Sequence, residues 1–253
     1  MSKNKNSVTA AMVIIGNEIL SGRTNDANLN YVARQLTSMG ITLCEVRAIR
    51  DESQEIITAV NSLREKFDYV FTTGGIGPTH DDITCESISK AFGRKYALNI
   101  EAQAILREYY DGSNKELNEA RLRMAHTPEG ATLVANPISI APGFRIENVI
   151  VMAGIPAVMR AMFESVAPTL KTGDKVVSKA ISVMMGEGDI AKPLREIQEQ
   201  WKQVEIGSYP FVRDGSYGTT LVMRSADLQQ LSKAYKMLKD LIVKIGGKPE
   251  EEA

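Results

Sequence analysis

The apolar positions along the chain fall into two spacings. Val8 to Ile15 is an unbroken run of apolar and small residues ending at Gly16, the pattern of a strand buried on both faces of a parallel sheet. After a polar, Gly-containing loop over 16–26, Leu29, Val32, Ala33, Leu36 and Met39 recur at helical spacing, and Gly40 stops the helix. Ile41 to Ile49 reads as a second strand, Ile56, Ile57, Val60 and Leu63 mark a second helix, and Tyr69 to Thr73 reads as a third strand. This βαβαβ order predicts an α/β fold with a mostly parallel sheet, helices on both faces and right-handed crossovers. Ligands in such sheets bind at the carboxyl ends of the strands.

Further along, Glu101 to Met124 reads as a helical excursion. Thr132 to Val134, Gly143 to Ile146 and Val149 to Met152 read as short strands, and a helix from near Pro156 carries Val158, Met159, Met162 and Phe163. From Lys175 the pattern starts afresh as βαββα: Val176–Met184, a helix from Asp189 to about Trp201, Val204–Tyr209, Tyr217–Met223, and a last helix over Ala226–Ile245. The expected division is therefore 1–170 and 171–253, with Lys171 to Asp174 as linker. Lys248 to Ala253 is expected to be a short polar fray.

Composition adds mainly exclusions. The 253 residues include 30 basic and 31 acidic ones, a net charge of -1, so no global field draws in nucleic acid or an anionic membrane. Any bound anion must be held by local geometry. Cys44 and Cys85 lie in unrelated segments and form neither a disulfide framework nor a metal-ligand pair. No apolar run approaches the roughly 18 residues that span a bilayer, and no secretory signal is evident, so a cytoplasmic protein is expected.

Chemistry concentrates in the two Gly-punctuated loops at strand ends, Gly16 to Arg23 and Gly74 to Asp82. In the second, Gly74, Gly75 and Gly77 let the backbone turn tightly and bring amide N–H groups to an anion, and a helix starting near Asp81 or Asp82 would add the positive end of its dipole. Gly74-Gly75 followed by acids also suits a plain strand-to-helix turn with an N-cap. The adjacent carboxylates favour the phosphate reading with a divalent cation (Mg²⁺, Mn²⁺ or Co²⁺) between acid and anion, for which Asp81, Asp82 and Glu18 are the hard oxygen ligands. Asp51, closing the second strand, should face the same site. His80 sits inside the loop with a proton to exchange near neutral pH, and His126 reads as structural. Triads, P-loop and Rossmann fingerprints are absent.

The run Ile14-Ile15-Gly16-Asn17-Glu18-Ile19-Leu20-Ser21-Gly22-Arg23-Thr24, with Asn25 to Asn28, together with Thr72-Thr73-Gly74-Gly75-Ile76-Gly77-Pro78-Thr79-His80-Asp81-Asp82-Ile83-Thr84, resembles the amino-terminal region of the CinA family. Pro128 to Ala131, Asn136-Pro137 and Ala141 to Phe144 extend the resemblance over about residues 8–170, and residues 175–245 are similar to the KH-like α/β module that follows it. The resemblance implies a three-layer αβα molybdopterin-binding domain of the MoaB/MogA type. It implies metal-dependent cleavage of a nucleotide pyrophosphate such as ADP-ribose or FAD, or, in MogA-like relatives, adenylylation of molybdopterin with the acid at Asp82 catalytic. A non-catalytic nucleotide-binding module is the third possibility.

Loop and resemblance together place Gly16, Asn17, Asn28, Thr73, Gly74, Gly75, Gly77, Pro78, Thr79, His80, Gly154 and Pro156 along a nucleotide or pterin phosphate. Asp82, Asp81 and Asp51 are the catalytic candidates. The family's Pro-Gly-Val-Pro-Ser-Glu-Met segment stands here as Ala153 to Met159, which loses a Ser and a Glu and leaves substrate choice open. No counterpart of the family's nicotinamide mononucleotide deamidase domain is expected, nor any deamidase activity. Gly186-Glu187-Gly188 lacks the Gly-x-x-Gly spacing of a nucleic-acid-binding KH loop and carries an acid, so the second module is expected to serve oligomer contacts, a dimer first, or to wall the site.

Overall fold

The structure, a computed structural model, describes residues 8–113 and 115–252. It falls into two compact units, 1–173 and 174–253.

In the first unit the apolar run Val8–Ile15 is the strand β1, the centre of a parallel set. It is followed by the short helix α1 (Asn17–Leu20), α2 (Asn28–Ser38), β2 (Ile41–Ile49), α3 (Ser53–Arg64), β3 (Tyr69–Thr73) and α4 (Thr84–Ala91). Next come β4 (Tyr96–Leu98), α5 (Ile100–Asp111), α6 (Glu119–Leu122), a 3₁₀ turn (Arg123–Ala125) and β5 (His126–Pro128). The unit ends with β6 (Thr132–Val134), β7 (Gly143–Ile146), β8 (Val149–Met152) and α7 (Pro156–Val166). The six-stranded sheet runs β2-β1-β3-β8-β7-β6, with β2, β1, β3 and β8 parallel and β7 antiparallel to its neighbours.

Alternation along β1 builds three layers. Ala10, Met12 and Ile14 face Val32 and Leu36 of α2 and Met159, Met162 and Phe163 of α7, while Ala11, Val13 and Ile15 face Ile56, Val60 and Leu63 of α3 and Ile88 of α4. Because all six β1 residues are buried, neither face tolerates a charge, and the strand direction and register are fixed by both layers at once.

The helical excursion expected over Glu101 to Met124 is divided into short pieces. Gly112 ends α5, Asn118 caps α6 by accepting from Arg121 N at 3.0 Å, and β4 and β5 form a separate two-stranded ribbon. Its three-residue strands are too short to show a period of two. His126 belongs to that ribbon, packed on Tyr96 with 5.3 Å between ring centroids.

The second unit comprises β9 (Val177–Val183), α8 (Glu187–Gln200), β10 (Glu205–Arg213), β11 (Ser216–Ser225), α9 (Leu228–Lys244) and β12 (Glu250–Glu252). Its sheet runs β10-β11-β9-β12, antiparallel throughout, over a core that includes Ile181, Ile190, Leu221, Leu231 and Leu238. Helix α8 starts at Glu187, two residues before the expected Asp189. The tail also differs from the fray expected there: Glu250–Glu252 pairs with β9, and ion pairs of Glu250 with Arg213 at 3.0 Å and Glu251 with Lys239 at 2.5 Å hold it.

Candidate functional site

The carboxyl ends of β1, β3 and β8 lie side by side, so the loops that leave them meet. After β3 the chain turns at Gly74 (φ +103°) and Gly75 (φ +66°). A Cβ on Gly74 would lie 2.1 Å from the Ile15 carbonyl oxygen, and one on Gly75 would lie 2.3 Å from Thr84 Oγ1, so both positions require glycine by conformation and by space. Gly16 differs: its φ of 167° is ordinary extended backbone, and an added Cβ would meet only the far end of the Glu18 side chain.

The expected amide cradle of Gly74, Gly75 and Gly77 loses Gly74 and gains Ile76. Gly74 N–H donates to Met152 O at 3.2 Å, because the β3–β8 ladder continues one residue past the strand, so this amide is taken. The N–H groups of Gly75, Ile76 and Gly77 have no partner among the described residues and form three consecutive free donors on half-buried backbone. Ile76 carried no sign in the sequence, since a backbone donor is independent of side-chain type.

The following helix also starts later than expected, at Thr84. Its first amide donates to Gly75 O at 3.0 Å and Thr84 Oγ1 donates to Gly74 O at 3.0 Å. The helix end thus locks the glycine turn instead of facing a ligand. Asp81 and Asp82, which precede the helix, are not its caps. Both reach Thr79: its hydroxyl lies 2.5 Å from Asp81 Oδ1 and 2.5 Å from Asp82 Oδ2, and Thr79 N–H donates to Asp82 Oδ2 at 2.8 Å. The Thr79 hydroxyl holds the Asp81 carboxyl below its usual range, with the charge of His80 adding to the effect. Three oxygens therefore converge at the turn, beside Pro78 and the exposed His80.

Arg123, from the 3₁₀ turn, supports this turn from behind, donating to Thr79 O at 3.1 Å and Asp82 O at 3.5 Å. No local pattern marks it, because it lies some forty residues downstream. Behind the acids, burial pushes both the Cys85 thiol and the Tyr96 phenol up to about 12, which leaves both neutral.

The other sequence-derived candidates sort into two places. Asp51 Oδ2 accepts Asn17 N–H at 2.8 Å, which pins the start of α1 to the end of β2. Glu18, Asn28, Thr73, Gly154 and Pro156 line one small cavity, and Asn28 Nδ2 donates to Gly154 O at 2.7 Å. Glu18 is therefore not part of the Thr79 turn, and among the described residues no three His, Cys, Asp or Glu side chains cluster as a metal site. The donor set that remains, two carboxylates and a hydroxyl, still fits a hard cation of the Mg²⁺ type, which commonly takes one or two carboxylates and completes its shell with water and substrate phosphate. In the altered segment, Val158 is buried in the core against β1 and Ala157 is exposed.

A family model described as "Probable molybdopterin binding domain" matches residues 11–172, and one described as "FAD synthase, middle domain" matches residues 175–246. A protein of Archaeoglobus fulgidus is 33% identical over 234 residues, 91% of this chain and 96% of that protein. A protein of Pyrobaculum calidifontis is 35% identical over 211 residues, 80% of each. Among solved structures, the protein CinA with unknown function from Thermoplasma acidophilum is 31% identical with a TM-score of 0.61, over 65% of this chain and 99% of that one. Among the described residues no helix is long and apolar enough to cross a membrane.

Proposed function

The chain belongs to the family of probable molybdopterin-binding domains, of the CinA type, and on that premise we propose that it hydrolyses the pyrophosphate bond of a nucleotide such as ADP-ribose or FAD. The observation that carries this reading is the juxtaposition of the free N–H groups of Gly75, Ile76 and Gly77 with the carboxylates gathered on Thr79. The amides bind phosphate oxygens without a charged side chain, and they do so most strongly where negative charge grows in the transition state. Asp81 and Asp82, both gathered on the Thr79 hydroxyl, are the residues that would hold a divalent ion (Mg²⁺, Mn²⁺ or Co²⁺). When bound, that ion supplies charge neutralisation at the phosphate oxygens and acidifies water.

Asp82 orients the attacking water. Its oxygen forms the new bond to phosphorus, the bridging P–O bond breaks toward the leaving phosphate, and the water proton passes to carboxylate. Arg123 fixes the backbone that carries both acids. Glu18, placed in the neighbouring cavity wall, contacts the substrate away from the phosphates.

Asp82→Asn keeps the shape of the turn and removes the charge. We expect turnover of ADP-ribose and FAD with Mg²⁺, Mn²⁺ or Co²⁺ to fall by about a hundredfold or more, the usual scale for a group acting on the water or the metal. Unchanged turnover in this variant would refute the role given to Asp82. Tight binding of a pterin monophosphate with ATP-dependent adenylylation, and no hydrolysis of dinucleotides, would replace the hydrolase reading by a cofactor-assembly one.

A further inference from the structure

A cavity of about 50 Å³ opens among the ends of β1 and β3, the start of α2 and the turn from β8 into α7, beside the amide cradle. Two side chains in its wall are almost wholly buried: Asn28 is 4% exposed and Thr73 is 1% exposed. Asn28 Oδ1 and Thr73 Oγ1 have no hydrogen-bond partner among the described residues. The amide of Asn28 cannot usefully flip, because its nitrogen donates to Gly154 O at 2.7 Å, so the free atom is the acceptor. Buried polar atoms are nearly always paired, and one left unpaired lowers stability unless a ligand completes it.

The character of the wall selects the ligand group. Asn28 Oδ1 accepts only, the Thr73 hydroxyl accepts or donates, and Glu18 and Asp26 line the same wall, with Asp26 Oδ1 accepting Leu29 N–H at 2.7 Å. Such a surface repels phosphate and needs a group that can donate. The cavity opens to solvent, and its buried end of about 50 Å³ takes a small donating group such as a hydroxyl.

We infer that this cavity binds the ribose hydroxyls of a nucleotide, one hydroxyl donating to Asn28 Oδ1 and accepting from Thr73 Oγ1, while the phosphates rest on the amides of Gly75 to Gly77. The inference rests on the nucleotide-phosphate reading above and assigns the sugar of that substrate to the side chains of Asn28 and Thr73.

Thr72 provides an internal control. Its hydroxyl is also buried and without a partner among the described residues, but it sits opposite Val13, on the α3 and α4 face, whereas Thr73 sits opposite Ile14 on the α2 and α7 face.

Titration calorimetry with AMP, 2′,3′-dideoxy-AMP and inorganic pyrophosphate tests this. AMP should bind the unaltered protein about tenfold more tightly than the dideoxy compound, the scale of a buried hydrogen bond. In Thr73→Val the preference should collapse toward unity with pyrophosphate binding unchanged, and the melting temperature should rise by about 2–4 °C as the unpaired hydroxyl is removed. Thr73→Ser should keep the preference. Thr72→Val should also melt higher yet keep it. Equal binding of AMP and its dideoxy analogue alongside normal pyrophosphate binding overturns the ribose assignment and leaves the amide cradle standing. Failure of pyrophosphate and AMP alike to bind overturns the cradle, and this inference with it.

Discussion

At Gly74 the fold has room for a hydrogen atom and nothing larger. A methyl group there would meet backbone, the Ile15 carbonyl of β1, at 2.1 Å, and the φ of +103° is closed to L side chains. Gly74→Ala should therefore cost about 3 kcal/mol or more in urea unfolding, combining the strain of the dihedral with a forced separation of β1 and β3. A loss below about 1 kcal/mol would show that the turn can relax and that its geometry is not fixed by β1. The glycine-rich loop and its acids were readable in the sequence because glycine and carboxylate advertise their roles by residue type. The partner of each amide was not readable. That Gly74 N–H goes to Met152 while Gly75, Ile76 and Gly77 stay free follows from where the β3–β8 ladder ends, a property of two strands nearly eighty residues apart.

Among the elements, the insertion between α4 and β6 was the least readable. Its pattern read only as a helical excursion over Glu101 to Met124; Gly112 and Asn118 divide it, and the 3₁₀ turn that follows brings Arg123 to the acid turn. The segment is thus a buttress for the site. The guanidinium donates to carbonyl oxygens, so Arg123→Ala removes charge-assisted hydrogen bonds of about 1.5–3 kcal/mol and frees the peptide that positions Asp81 and Asp82. Arg123 is a positioning residue, and the expected signature is a fall of about tenfold in kcat with pyrophosphate affinity held within about twofold, because the amides of Gly75 to Gly77 lie upstream of the loosened peptide. A matching loss of affinity, with kcat preserved, would instead place Arg123 on the ligand. The β12 strand presents the same limit in another form. Glutamates have no intrinsic liking for strands, and Glu250 and Glu251 are held there by β9, Arg213 and Lys239, partners that local sequence does not name.

Over the whole molecule, the order of strands and helices was largely written in the apolar runs. A strand such as Val8–Ile15, apolar on both faces, is stable only between two helical layers, and that requirement leads directly to the three-layer arrangement. The charge balance constrains function at the same scale. With 30 basic residues against 31 acidic ones, the molecule has no net positive field to draw an anion from a distance, and the candidate phosphate donors are neutral amides. The Debye length is about 10 Å at 0.1 M salt, so screening weakens long-range steering far more than hydrogen bonds made at contact. Pyrophosphate affinity should then change by less than about threefold between 0.05 and 0.2 M sodium chloride, unlike that of a basic cleft, where several released counterions would make the dependence steep. A tenfold or larger loss over that range, measured without divalent ion, would mean that lysine or arginine side chains carry the phosphate and that the amides of Gly75 to Gly77 do not.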